Sequence, residues 1–267
     1  MHRGTLCGPG ASRPFSTLAQ SIAYVCSAGT LGLLLTWSSA AAQCVDPARF
    51  ALSTASITRY FDDKEDQTAN PGTLGIRGTG WFLSPTTMVT AEHVATAMRL
   101  SDQSWKQVEI LNDERKLPTP IRILRVAGPD REKLAVLELQ NPISGARSLQ
   151  PRTRPLAAEE AVVSIAYPAN RMRVAGGRFV QYGESDKFAG TALFEIYDGD
   201  DRLVLDHGSS GAPVLDCEGR VVAVVSNLLT QTMQFPSRAI RISTAWGQPN
   251  VVSIPIAALR EEAALVK

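Results

Sequence analysis

The sequence predicts an all-β protein of two antiparallel units followed by a short C-terminal helix, and three observations predict it. Apolar residues recur mostly with a period of two, the period of a half-buried strand. Glycine, proline, asparagine and aspartate cut them into short runs, as in sandwiches and barrels. One stretch, Asn141 to Arg154, carries two prolines and few apolar pairs and reads as a linker between the halves. Before it lie the runs Gly80–Leu83, Met88–Thr90, Val108–Leu111, Ile121–Val126 and Leu134–Leu139. After it lie Val162–Ala166, Leu193–Tyr197 and Val221–Val225. The units are expected over about 50–140 and about 155–254. Helical signals are confined to a brief turn from Ala91 to Leu100 and to the segment from Pro255. Proline suits a first helical turn, and Ile256, Leu259, Ala263 and Val266 then share a face. No repeat or low-complexity tract is visible.

Composition narrows the function classes. With 267 residues, 44% hydrophobic and 20% charged, the chain is ordinary globular material, which excludes disordered, collagenous and coiled-coil classes. A net charge of +1 without a basic block argues against nucleic acid as a partner. Residues 1–42 form a separate unit of meaning. They hold Arg3 and Arg13 and no acid, an apolar stretch from Ile22 to Trp37, and the small-residue end Ser38-Ser39-Ala40-Ala41-Ala42. Those are the three parts of a secretory signal peptide, with cleavage expected after Ala42 and a mature, exported chain outside the membrane, in the periplasm or beyond the cell. The competing reading is an uncleaved anchor, since Ile22 to Ala42 is just long enough to span a bilayer. Cleavage removes Cys7 and Cys26 and leaves Cys44 and Cys217, an even pair that reads as one disulfide in an oxidising compartment. Two buried free thiols are the alternative.

The search for chemistry is short because only His93 and His207 remain beyond residue 42. His93 stands in Val89-Thr90-Ala91-Glu92-His93-Val94, at the end of a strand entering a short helix, where a side chain can project into a cleft. The segment Asp206-His207-Gly208-Ser209-Ser210-Gly211-Ala212-Pro213 places glycines around Ser210. In a tight turn the N–H groups of Gly208 and Ser210 can converge on one point and stabilise an oxyanion. A serine hydroxyl there becomes a nucleophile when a base lies within about 3 Å. A plain solvent-facing β-turn uses the same residues, although Pro213 and the strand after it weigh against that. Two histidines and a cysteine pair supply no zinc set, and the acidic turn around Asp198, Asp200 and Asp201 matches no complete calcium loop, so neither metal nor cofactor is expected.

Together these segments resemble the trypsin-like (chymotrypsin-fold) serine proteases, in particular secreted bacterial members. Gly78-Thr79-Gly80-Trp81-Phe82 followed by Val89 to Val94 is similar to their histidine segment, and Gly208 to Pro213 to their nucleophile segment. Lys133-Leu134-Ala135-Val136-Leu137-Glu138-Leu139 resembles the strand that opens with the triad carboxylate, and Val162 to Pro168 a strand near the start of the second barrel. The resemblance implies two six-stranded antiparallel β-barrels and a secreted endopeptidase acting on peptide or protein substrates. It implies His93 as general base, Ser210 as nucleophile, and the Gly208 and Ser210 amides as oxyanion hole. It puts Ser226 on the strand that pairs with substrate, Val204 at the base of the primary specificity pocket and His207 at its mouth. An uncharged pocket base implies a small or apolar preference.

The sequence departs from the family at the acid. Lys133 stands where the family has aspartate immediately before the Leu-Ala-Val-Leu strand, and a cation beside His93 disfavours the imidazolium that forms during attack. Asp130 is the first candidate for the missing carboxylate, Glu132 the second, and a site without an acid the third. The last keeps open a second function: a protease-fold pseudoenzyme that binds peptides without cutting them. Ser209 replaces the aspartate that captures a new N-terminus in vertebrate members, so that activation route is not expected.

Overall fold

The structure, a computed structural model, describes residues 44–61, 68, 71–112, 114–128, 132–183, 189–197, 208–235, 238–243 and 248–261. The segment expected to be a signal peptide, residues 1–42, lies outside them. β1 (Thr54–Tyr60), β2 (Gly75–Ser84), β3 (Thr87–Ala91), β4 (Lys106–Asn112), β5 (Arg115–Ala127) and β6 (Leu134–Leu139) close a first antiparallel barrel in the order β1-β2-β3-β6-β5-β4. β7 (Ala161–Ala166), β8 (Arg173–Tyr182), β9 (Ala192–Tyr197), β10 (Pro213–Asp216), β11 (Val221–Leu228) and β14 (Val251–Pro255) close a second, in the order β10-β11-β14-β9-β8-β7. Counted within each barrel, the two orders are the same. Between β11 and β14 the chain makes a separate hairpin of β12 (Thr230–Phe235) and β13 (Arg238–Ser243). This is the chymotrypsin-like architecture.

The period of two does what it should in β4, where Val108 and Ile110 are buried and Gln107 and Glu109 between them are not. Ile57, Trp81, Phe82, Met88, Ile110, Ile121, Leu134 and Leu137 fill the first barrel, and Phe179, Phe194, Ile196, Val214, Val225 and Val251 the second. Phe179 packs edge-on against Phe194 at 5.5 Å between centroids. The first cluster also takes in Val163, Ile165, Leu215, Val224 and Ile254, so apolar packing continues from one barrel into the other.

Two helical pieces matter. α1 (Glu92–Ala97) sits within the turn expected from Ala91 to Leu100. α2 (Ala258–Glu261) follows Pro255, with Ile256 and Leu259 buried in the first cluster; Ala263 and Val266 fall outside the described residues. The segment expected to be a linker is fastened to both barrels: Leu149 N–H donates to Phe82 O at 2.8 Å on the first. On the second, Arg152 N–H donates to Val221 O at 2.8 Å and Val221 N–H donates to Gln150 O at 2.9 Å.

Cys44 and Cys217 form a disulfide, with Cα atoms 4.9 Å apart and a sequence separation of 173. A loop of that length gives a loop-entropy stabilisation of about 5 kcal/mol at most. Replacing both cysteines with serine is expected to lower the unfolding free energy by about 2–5 kcal/mol. Urea titrations of the oxidised protein and the double variant measure this, and equal midpoints would refute it.

Candidate active site

The strand register decides which residues meet. β3 pairs with β6 so that Thr90 faces Ala135 and Ala91 faces Leu134. The pairing continues one step past both strands, where Glu92 N–H donates to Lys133 O at 2.8 Å. His93 then stands in the first turn of α1 and Glu132 just before β6, and the Glu132 carboxylate acts on the charge of the His93 ring. Lys133 therefore spends its backbone on the end of β3, and the carboxylate that acts on the histidine comes from the residue before it.

Both oxygens of Glu132 are engaged by the second barrel. Ser226 Oγ donates to Oε2, and Asn227 Nδ2 donates to Oε1 at 3.0 Å. Ser226 is fully buried, whereas Asn227 is exposed. The Ser226 backbone carbonyl in turn accepts from Ser210 Oγ at 2.9 Å. Ser226 thus touches the carboxylate with its side chain and the serine hydroxyl with its main chain.

Ser210 lies in the turn before β10, between glycines with positive φ, +99° at Gly208 and +92° at Gly211. Gly211 N–H donates to Val225 O at 2.7 Å, which ties the turn to β11. Thr79 N–H in β2 donates to Ser210 O at 2.9 Å, which ties it to the first barrel. Gly78 shows how close the barrels come at this point. A Cβ there would collide with the Val94 side chain, next to His93, and would lie 3.3 Å from Ser210 O. Only a residue without a side chain lets the histidine helix and the serine turn meet across β2.

The electrostatics of His93 follow from its neighbours. Its residue surface is exposed, yet the protein removes enough water from the ring to lower its pKa below the ordinary histidine value of about 6.5. Glu132 opposes that shift, and Glu92 opposes it less. The carboxylates favour the imidazolium, burial favours the neutral ring, and burial wins in the resting protein.

Of the other sequence candidates, Asp130, Val204 and His207 lie outside the described residues. Gly208, Ser210 and Ser226 come together at the mouth between the barrels. Sequence reasoning assigned no role to Asn227 or to Thr79, although Thr79 stands inside the Gly78-Thr79-Gly80-Trp81-Phe82 string. Among the described residues no three His, Cys, Asp or Glu side chains gather as a metal site would require, and no helix is long and apolar enough to cross a membrane.

A fold of two closed six-stranded barrels defines a class, and comparison with known proteins names it. Residues 78–224, more than half the chain, match the family model described as "Trypsin-like peptidase domain". The chain belongs to that family of serine proteases. No curated protein sequence matches it. The fold is similar to that of the Rv3671c protease from M. tuberculosis in its active form, at 16% identity and a TM-score of 0.54, over 82% of this chain and 82% of that one. An inactive mutant form of Rv3671c gives 15% identity and 0.54 over 85% of this chain and 92% of that one. The HtrA-type protease AlgW with a tripeptide gives 13% and 0.54, over 85% of this chain and 64% of that one.

The His93 shift fixes a measurable direction. Its folded pKa lies below the unfolded one, so between the two the unfolded chain binds more protons. The stability this group contributes is full above about 6.5 and is lost as pH falls through the folded value. NMR titration of the His93 ring should place its midpoint below about 6.5, and Glu132→Gln should move it lower still, because the favourable charge is gone. A midpoint that rises in Glu132→Gln would overturn the assignment.

Proposed function

We propose that this chain is an exported serine endopeptidase that cleaves peptide bonds through an acyl-enzyme on Ser210, with His93 as base and Glu132 as orienting carboxylate. The observation that supports the reading is Glu132, held by Ser226 and Asn227 and acting on the charge of His93. In the resting site the Ser210 hydroxyl donates to the Ser226 carbonyl. Attack requires that hydroxyl to turn to another staggered rotamer and donate to His93, a change on the ps–ns scale for a partly exposed side chain.

The cycle then runs on this chain's own groups. His93 enters neutral, takes the Ser210 proton as Oγ bonds to the scissile carbonyl carbon, and becomes an imidazolium that Glu132 stabilises. The carbonyl oxygen turns into an oxyanion facing the Gly208 and Ser210 N–H groups. His93 next gives its proton to the leaving amine, and the C–N bond breaks to leave the acyl-enzyme. Water, deprotonated by His93, repeats the sequence and frees the acid. Substrate backbone lies along β11 at Ser226, and Val204 gives the pocket an apolar base suited to a small or apolar side chain. The disulfide and the apolar N-terminal segment support export.

Lys133 does not oppose this scheme. Its ammonium rides on a long stem that can carry it toward water, while its carbonyl holds the end of β3. Glu132 is one residue further from the strand than the family's aspartate and one methylene longer.

Ser210→Ala and His93→Ala are each expected to abolish hydrolysis of a peptide substrate, and Ser210→Ala also to abolish labelling by a fluorophosphonate. Glu132→Gln should lower kcat by about 10²–10⁴, because the amide stabilises neither the right tautomer nor the imidazolium, and Asp130→Asn should change it little. Loss confined to Asp130→Asn would reassign the acid. A folded wild-type protein that neither hydrolyses nor labels, yet binds peptides, would establish the peptide-binding module instead.

A further inference from the structure

Thr79 is fully buried in β2 of the first barrel, and its N–H, carbonyl and hydroxyl are all engaged. The N–H donates to Ser210 O at 2.9 Å, and the carbonyl accepts from Thr90 Oγ1 at 2.7 Å. The hydroxyl donates to Gly208 O at 2.7 Å and accepts from Tyr167 N–H at 3.0 Å. Three of these four partners belong to the second barrel and two to the nucleophile turn. Thr90 lies three residues before His93. One threonine therefore joins the strand leading to the histidine with the turn that carries the serine.

We infer that the Thr79 hydroxyl is a positioning group for catalysis: it fixes the Gly208–Ser209 peptide and thereby keeps the oxyanion site formed. This rests on the peptidase reading above. The peptide in question lies between the two N–H groups assigned to the oxyanion, those of Gly208 and Ser210. Gly208, at φ +99°, has no Cβ to restrict how that peptide turns. If the plane rotated, its carbonyl oxygen could swing toward the point where negative charge develops and repel it. The hydroxyl holds that oxygen on the Thr79 side. Threonine is suited to the task because it is stiff at χ1 and because its own oxygen is pinned by Tyr167 N–H. The contact stabilises no charge itself; it keeps two donors aimed, which affects the transition state more than the bound substrate.

The test is steady-state kinetics on a peptide substrate with Thr79→Val and Thr79→Ser, together with the rate of fluorophosphonate labelling and a thermal melt. Thr79→Val keeps the volume and the N–H to Ser210 but removes the hydroxyl. It should lower kcat about tenfold to hundredfold with KM within about threefold, and slow labelling in parallel. Thr79→Ser restores a hydroxyl and should return kcat to within about threefold of wild type. If Thr79→Val fails to fold, Thr79→Ala carries the same expectation without a branched side chain left beside an unpaired carbonyl. A folded Val or Ala variant with wild-type kcat, a loss confined to KM, or an equal loss in Thr79→Ser would overturn the inference. Those results leave the peptidase reading standing; a wild-type protein inert to substrate and probe would remove both.

Discussion

The grip of β2 on the Ser210 turn is the constraint from which the rest of the candidate site follows. His93 and Glu132 stand on the first barrel, Ser210 and its turn on the second, and no single sheet contains them. Thr79 bridges them with hydrogen bonds to Ser210 and Gly208, and Gly78 lets the two surfaces approach. Misplacement by about 1 Å between reacting groups can cost about a hundredfold in rate, so a site divided between two barrels needs a rigid joint. Buried hydrogen bonds supply it better than apolar packing, because they are directional and are costly to leave unmade. The shared core of Val163, Ile165, Leu215 and Val224 against the first barrel supplies the adhesion; Thr79 supplies the register.

Electrostatic control at the site crosses the same joint in the other direction. Glu132 belongs to the first barrel, but Ser226 and Asn227, which hold its two oxygens, belong to β11 of the second. A carboxylate with both oxygens engaged is kept in place. That matters for His93, whose burial already favours the neutral ring. The arrangement suits a base that must start uncharged and carry a proton only briefly: burial sets the resting state, and the fixed carboxylate lowers the energy of the imidazolium once it forms. The balance of the two, rather than either alone, is what the glutamate contributes in the proposed mechanism.

What was legible in the sequence was local. The backbone settings of His93 and Ser210 could be read because neighbours fix them, a strand end entering a helix for one and a glycine-flanked turn for the other. The cysteine pair could be read by counting. The choice between Asp130 and Glu132 could not, because it depends on the register of β6 against β3, across more than forty residues of intervening chain. Asn227 was invisible for the same reason. Some strands were hidden by composition. β1 buries Thr54, Ser56, Thr58 and Arg59, so hydropathy does not mark it, although six of its seven residues are inside. In β8, Gly176 and Gly177 interrupt the apolar pattern where the strand passes Tyr197 and Ile196. The identical strand order of the two barrels leaves no repeat in the sequence, since a barrel interior asks only for apolar volume at alternate positions.

The strand that follows the serine turn is fixed at its far end as well. β10 runs only from Pro213 to Asp216, with Ser210 just before it and Cys217 just after. Asp216 is buried and accepts from Arg152 at 3.4 Å and from Arg220 Nε at 2.9 Å, while its other oxygen takes the N–H groups of Glu218 and Arg220. Arg152, itself buried, is also bound by Glu160 and by the Pro155 carbonyl at 3.1 Å. The disulfide adds a covalent tie from Cys217 to Cys44. A buried ion cluster of this kind adds little net stability, because desolvation offsets most of the attraction. Its effect is on position: an aspartate with this many fixed partners has one favourable place, and the strand attached to it inherits that place. With Thr79 holding the Ser210 end and Arg152 and Cys44 holding the Asp216 end, β10 has little freedom to slide against β7 or β11. A slip of one residue would turn its side chains to the opposite face and take the serine turn out of line with His93. The segment between the barrels, which by composition looked like a passive connector, is thus part of what keeps the nucleophile turn in register.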